Sequence, residues 1–299
     1  MSALRFFVLA GPTAVGKSEF AVEIAERLRT EIVGADAFQI YQGFQILSGK
    51  PPMALQARIK HHLVGVLPVT ENCDAARFAA LAKKEIAEIN QKGLTPLVVG
   101  GSGFYIEALL NPLPDLPPAD PLLRSQLANE PVDSLLSELK RRDPVAFGEI
   151  DQQNRRRIER AIEVIRLTGR PFSAYRRPRI SDSQFAGLVL SRPRPELHRR
   201  IDQRVRWMLK NGAIDEVGSS SELSVTARQM IGVSEIGRFL SNESSFDECV
   251  QLIQAATRQY AKRQITWFKT RPFTTFPAEG SASDAAQFYQ EKGAIVSQQ

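Results

Sequence analysis

The residues Gly11-Pro12-Thr13-Ala14-Val15-Gly16-Lys17-Ser18 fit the pattern G-x-x-x-x-G-K-[ST]. Such a loop turns successive backbone N–H groups and a helix N-terminus toward phosphate oxygens, places a lysine on them and offers a hydroxyl to Mg²⁺. Lys17 is the charge and Ser18 the metal ligand in that scheme. The pattern implies a bound di- or triphosphate and a transfer reaction. An ordinary P-loop ATPase adds an aspartate at the end of an apolar strand to hold Mg²⁺. Here the apolar residues Leu97-Val98-Val99 run into Gly100-Gly101-Ser102-Gly103 instead. The acid at a strand end is Asp36, on a strand expected to lie beside the loop. Three uses are open to it: ligand organiser for Mg²⁺, general base, or helix N-cap.

Other residues carry weaker signals. His61-His62 lacks a third ligand at metal spacing. Trp267 and Phe268 stand beside Lys269 and Arg271 and suit either base stacking or inward packing. Cys73 and Cys249 form no disulfide framework and read as ordinary thiols in a reducing cytosol.

The elements that must position these residues follow from periodicity. Arg5 to Ala10 reads as a buried parallel strand, and Phe20, Ala21, Ile24, Ala25 and Leu28 recur at helical spacing behind the loop. Glu31 to Ala35 and Thr95 to Val99 read as further strands, with a helix over Ala75 to Gln91. Strands alternating with helices predict a parallel sheet with ligands at its carboxyl edge. Five prolines between Asn111 and Pro121 predict an extended linker, and Pro121 to Gly169 is nearly all helical in pattern, including the Arg-rich stretch Asn154 to Thr168. Phe185 to Leu190 reads as a return strand, followed by helices over Pro195 to Asn211 and Ser245 to Lys269. The expected fold is α/β: a P-loop parallel sheet with helices on both faces and a helical insertion domain. Residues 1–114 and 184–299 would form the core and 115–183 the insertion. Ala278 to Gln299 gives no clear pattern.

An apolar fraction of 43% and a charged fraction of 24% are those of a globular protein. No apolar run approaches the roughly 20 residues of a spanning helix, and the first ten residues lack a secretory pattern, so a cytoplasmic protein is expected. The net charge of +6 is unevenly spread. Asp151 to Asp182 (nine Arg, four acids), Arg192 to Lys210 (seven Arg/Lys, two acids) and Arg258 to Arg271 (five Arg/Lys, no acid) each carry +5. Such segregation predicts a basic surface facing a polyanion.

At this point the chain resembles the bacterial tRNA dimethylallyltransferases (tRNA isopentenyltransferases) along essentially its whole length. The matching runs are GPTAVGKS at Gly11, DAFQIYQG at Asp36, HHLVG at His61, GGSGFY at Gly100, RRIERAIEV at Arg156 and TRQYAKRQITWFK at Thr257. The resemblance implies transfer of a dimethylallyl group from dimethylallyl diphosphate to N6 of the adenosine 3′-adjacent to the anticodon, in tRNAs reading UNN codons. It implies Mg²⁺ as cofactor, the anticodon stem-loop as partner and a monomer. The loop would hold a diphosphate that stays behind, and Asp36 would accept the proton of the adenine amine. Lys17, Ser102 and Arg204 would join Asp36 at the reacting centre. Asp36, Ala37, Phe38, Gln39 and Ser102 would face the tRNA, as would Arg124 and the run Arg156, Arg157, Ile158, Glu159 and Arg160. The segment Gln229, Met230, Ile231, Gly232, Val233 and Ser234 matches another tRNA-contacting stretch.

The chain departs from the family pattern in places. Asp36-Ala37 replaces Asp-Ser, Ser102 replaces Thr, Leu47-Ser48-Gly49-Lys50-Pro51 replaces Gly-Thr-Ala-Lys-Pro, and Val233-Ser234 replaces Tyr-Lys. The last change removes a ring and a charge from the tRNA side. Two other classes stay in view. A small-molecule or nucleotide kinase predicts phosphoryl transfer from ATP and needs no Arg-rich helices. A non-catalytic RNA-binding relative predicts tRNA binding that survives Asp36→Asn.

Overall fold

The first expected strand forms over Leu4–Ala10 (β1) in the computed structural model, which describes residues 3–111, 114–175, 187–220 and 222–297. Phe6 to Ala10 are consecutive and all buried, so both faces of this strand are covered. The helices Lys17–Leu28 (α1) and Ala75–Gln91 (α3) both pack on it.

The sheet adds Ile32–Ala35 (β2), His61–His62 (β3), Leu97–Gly100 (β4), Gly187–Ser191 (β5) and Thr274–Pro277 (β6). These run parallel in the order β3-β2-β4-β1-β5-β6. Asp36 is expected from the sequence on the strand next to the loop; instead its strand, β2, lies one place further out. The crossover through α1 skips one slot, and β4 fills it, so Ser102 comes off the strand between Asp36 and the loop. Ile295–Ser297 (β7) pairs antiparallel with the first half of β1.

Residues 278–299, which gave no pattern, contain the helix Ala282–Lys292 (α13). Its Ala282, Ala285, Ala286 and Tyr289 form one buried stripe. The Tyr289 ring lies 4.9 Å from that of Phe7, and its hydroxyl donates to the Val8 carbonyl at 2.7 Å. Alanines supply most of this stripe, which is why it is faint as a hydropathy signal.

The chain divides into two compact units: Met1–Leu110 with Ile180–Gln299, and Asn111–Arg179. The second contains Pro121–Asn129 (α5), Val132–Arg142 (α6), Pro144–Glu149 (α7) and Arg155–Thr168 (α8). Pro121 is not linker but the first residue of α5, where its missing N–H costs nothing. Asp120, Asp143 and Asn154 cap α5, α7 and α8, each accepting an N–H from the first turn, and Gly169 ends α8 in the left-handed conformation at φ 70°. Leu127, Leu135, Leu139, Ile158, Ile162 and Ile165 make a core of its own.

The remaining helices of the first unit are Met53–Arg58 (α2), Gly103–Leu110 (α4), Arg194–Lys210 (α9), Ala213–Gly218 (α10), Val233–Leu240 (α11) and the long Phe246–Lys269 (α12). The proposed return strand begins at Gly187; residues 185 and 186 lie outside the described residues. Cys73 and Cys249 are buried free thiols. Among the described residues no helix is long and apolar enough to cross a membrane.

Candidate active site

The loop Gly11–Ser18 leaves the carboxyl end of β1 and enters α1 at Gly16, whose φ of 106° suits glycine and strains any residue with a side chain. No side-chain cap fills the start of α1, so its first N–H groups remain available to an anion. The Lys17 ammonium donates to the Gly11 and Pro12 carbonyls at 2.9 and 2.8 Å. Burial lowers its pKa to about 8; the Asp36 charge opposes that shift and the Arg204 charge adds to it.

Arginines from the basic stretch Arg192 to Lys210 hold the loop. Arg192 Nε donates to the Val15 carbonyl and Arg200 Nε to the Ala14 carbonyl, both at 2.8 Å. Arg204 Nη1 reaches Thr13 Oγ1 at 3.3 Å. Burial pulls the Arg204 guanidinium below its ordinary pKa, against the pull of Asp36 and Glu19. A Cβ on Gly49 would lie only 1.5 Å from Arg204 Nη2, so the glycine at that position makes room for the guanidinium. This part of the expected basic surface is thus turned inward to the phosphate loop.

Asp36 follows β2. Its Oδ1 accepts the N–H groups of Phe38 at 2.9 Å and Gln39 at 3.3 Å, a capping geometry that orients the carboxylate. Its Oδ2 accepts no hydrogen bond from the described residues. Ser102 Oγ accepts the Ala37 N–H at 2.9 Å, tying the end of β4 to this turn. Gln39 donates its amide to the Gly49 carbonyl at 2.9 Å. Asp36, Gln39, Lys17, Ser18, Phe38 and Arg204 line one cleft of about 760 Å³. Met230 and Ile231 line it too. Gly232 opens α11 at φ 103° and Val233 is buried behind it, while Gln229 and Ser234 are exposed.

Two cleft residues carry no motif signal of their own. Gln264, buried on α12, accepts the Thr13 N–H and donates to the Gly101 carbonyl, both at 2.8 Å. One turn earlier, Tyr260 lines the same cleft; burial and the Asp36 charge raise the pKa of its hydroxyl. Their spacing of four on one helix, inside the run Thr257 to Lys269, was the available clue.

The second unit places the other expected residues. Arg156 and Arg157 are exposed on α8, but Ile158 is fully buried in the core and Glu159 pairs with Arg155 at 2.6 Å. Arg124 and Arg160 both bond to the buried Glu163 carboxylate, at 2.9 and 2.6 Å. Burial alone would raise the Glu163 pKa; the two guanidinium groups and the Asp120 N–H outweigh it and hold it below 4.5. His62 is wedged between Glu31 and Glu85, each 2.5 Å away, and no group of three His, Cys, Asp or Glu among the described residues could hold a metal. Phe268 packs inward, whereas Trp267 stays partly exposed with Arg271 stacked 4.2 Å above its ring.

Comparison with known proteins gives one answer. The chain is 37% identical over 289 residues to a tRNA dimethylallyltransferase of Akkermansia muciniphila, spanning 95% of this chain and 98% of that one. It is 42% identical over 274 residues to tRNA dimethylallyltransferase 1 of Citrifermentans bemidjiense, covering 89% of each. Its structure resembles the full-length tRNA isopentenylpyrophosphate transferase of Bacillus halodurans, with a TM-score of 0.69, 30% identity and 96% of both chains covered. It also resembles a eukaryotic dimethylallyltransferase acting on tRNA, with a TM-score of 0.75 and 26% identity over 91% of this chain and 73% of that one. The family model for IPP transferase matches residues 39–271, and the chain belongs to that family.

Proposed function

We propose that this chain is a tRNA dimethylallyltransferase. It moves the dimethylallyl group of dimethylallyl diphosphate to N6 of the adenosine 3′-adjacent to the anticodon in tRNAs reading UNN codons, and releases diphosphate. The observation that carries the reading is the convergence of a phosphate loop and a strand-end carboxylate, Asp36, on one cleft. The names of the four relatives given above point the same way.

Each residue has a physical task. The loop N–H groups, Lys17 and Arg204 face the oxygens that gain charge as the allylic C–O bond breaks, and neutralise it in a site of low dielectric. The adenine amine is a poor nucleophile, because its lone pair is delocalised into the ring. Asp36, oriented by the Phe38 and Gln39 N–H groups, accepts its proton. Ser102 holds the turn that carries Asp36, and Gln39 lines the adenine side of the cleft.

Mg²⁺ fits the donor set in a limited way. Ser18 offers one hard oxygen in the cleft, so most ligands would come from the diphosphate and water. When bound there, the ion supplies further positive charge to the departing group.

On the RNA side, Arg156 and Arg157 supply charge for phosphates, with the half-exposed Arg124 beside Glu163. Ile158 and Glu159 contribute by building α8, and Arg160 by holding the Pro117 carbonyl. The target base leaves its stack to reach the cleft. We take the protein to act as a monomer in the cytoplasm.

The decisive assay incubates the protein with labelled dimethylallyl diphosphate, Mg²⁺ and unmodified tRNA. Label should enter RNA at that one adenosine. Folded protein that leaves the RNA unlabelled, or that transfers phosphate from ATP, would sink the proposal.

A further inference from the structure

β1 and β4 run side by side, and their last paired residues are Ala10 and Gly100. Beyond that pair the ladder ends, and the two strands give rise to the phosphate loop and the Gly100–Gly103 turn. The Gln264 amide bridges them there. Its oxygen takes the Thr13 N–H and its NH₂ gives to the Gly101 carbonyl, each at 2.8 Å. A side-chain amide is the neutral group that accepts at one end and donates at the other.

The turn is shaped for this contact. A Cβ on Gly101 would stand 2.3 Å from Gln264 Nε2 and 2.9 Å from the Gly11 carbonyl. A Cβ on Gly103 would lie 2.4 Å from the Trp267 indole. Tyr260, Gln264 and Trp267 recur at i, i+4 and i+7, so the glycine turn runs under one ridge of α12. From Gly101 the connection continues through Ser102 Oγ and the Ala37 N–H to Asp36.

We infer that Gln264 is a positioning residue, whose amide sets the separation between the diphosphate cradle and the carboxylate that receives the adenine proton. This rests on the prenyl-transfer reading above. Because the Thr13 N–H is already committed to Gln264, losing the bridge takes no donor from the phosphates. It lets the two reacting centres drift, and a misplacement of about 1 Å can cost on the order of 10²-fold in rate.

The test is single-turnover transfer with both substrates saturating, alongside direct binding of dimethylallyl diphosphate. Gln264→Leu should slow transfer by about 10- to 100-fold while the donor Kd stays close to that of the wild type. Gln264→Glu keeps the acceptor for Thr13 but sets a carboxylate against the Gly101 carbonyl. Only its protonated form restores the donor, and burial raises its pKa. Its rate relative to wild type should therefore rise as pH falls from about 8 to about 6. A side chain that merely filled space would give a pH-independent ratio. Should Gln264→Leu not fold, the glutamate series decides alone. An unchanged rate in Gln264→Leu, a loss carried wholly by donor affinity, or a flat ratio for Gln264→Glu overturns the inference. Wild-type protein that leaves RNA unlabelled overturns the prenyl-transfer reading and this inference together. An active wild type with an indifferent Gln264→Leu overturns this inference alone.

Discussion

An ammonium as buried as that of Lys17 gives up its proton near pH 8 rather than 10.5. The protonated form is the one that attracts a diphosphate, so donor capture should weaken as pH rises through about 8. kcat/KM for dimethylallyl diphosphate is expected to fall on that limb, and Lys17→Met should lower it at all pH values and remove the limb. Asp36 separates from this effect. With Oδ1 held by two N–H groups, Asp36→Asn preserves the turn but not the base. It should reduce kcat by roughly 10²–10⁴-fold with donor affinity nearly intact. A parallel loss of donor or Mg²⁺ affinity would mark Asp36 as a metal organiser instead.

Among the elements, α8 shows how a basic sequence can be structural and functional at once. Arg155, Arg160 and Arg166 are spent on internal partners, and Glu163 is the buried hub for Arg160 and Arg124. Its carboxyl titrates below the ordinary 4.5, so its stabilising contribution is present above that value and disappears as pH falls through the lower folded pKa. Glu163→Gln should destabilise the second unit by about 1–3 kcal/mol at neutral pH. The difference from wild type, read as hydrogen-exchange protection of α8 amides, should close in acid. The helical character of residues 121–169 was legible from its pattern, whereas the division into four helices, bounded by Asp120, Asp143, Asn154 and Gly169, came from the structure. Lateral strand order was not legible, since periodicity says nothing about which strand lies next to which; β4 between β1 and β2 could only be seen in the structure. Gln264 was hidden for a related reason: its partners lie 251 and 163 residues away.

Taken over the whole molecule, two of the three basic stretches do different jobs. Arg192, Arg200 and Arg204 face the phosphate loop, whereas Arg156 and Arg157 point their charge outward from α8. Total positive charge therefore overstates the surface offered to tRNA. Arg156→Ala and Arg157→Ala should each weaken tRNA binding and reduce the slope of log K against log[salt] by about 1. Arg200→Ala should leave that slope unchanged and damage donor binding.

The same long-range bridge has a consequence for biosynthesis. Thr13 emerges from the ribosome 251 residues ahead of the glutamine that engages it. At about 5–20 residues per second, the interval is on the order of 10 to 50 s. Throughout it the nascent phosphate loop lacks the amide that fixes its distance from the Gly100–Gly103 turn, so the alignment needed for transfer arrives late in translation although the phosphate motif is among the first residues made.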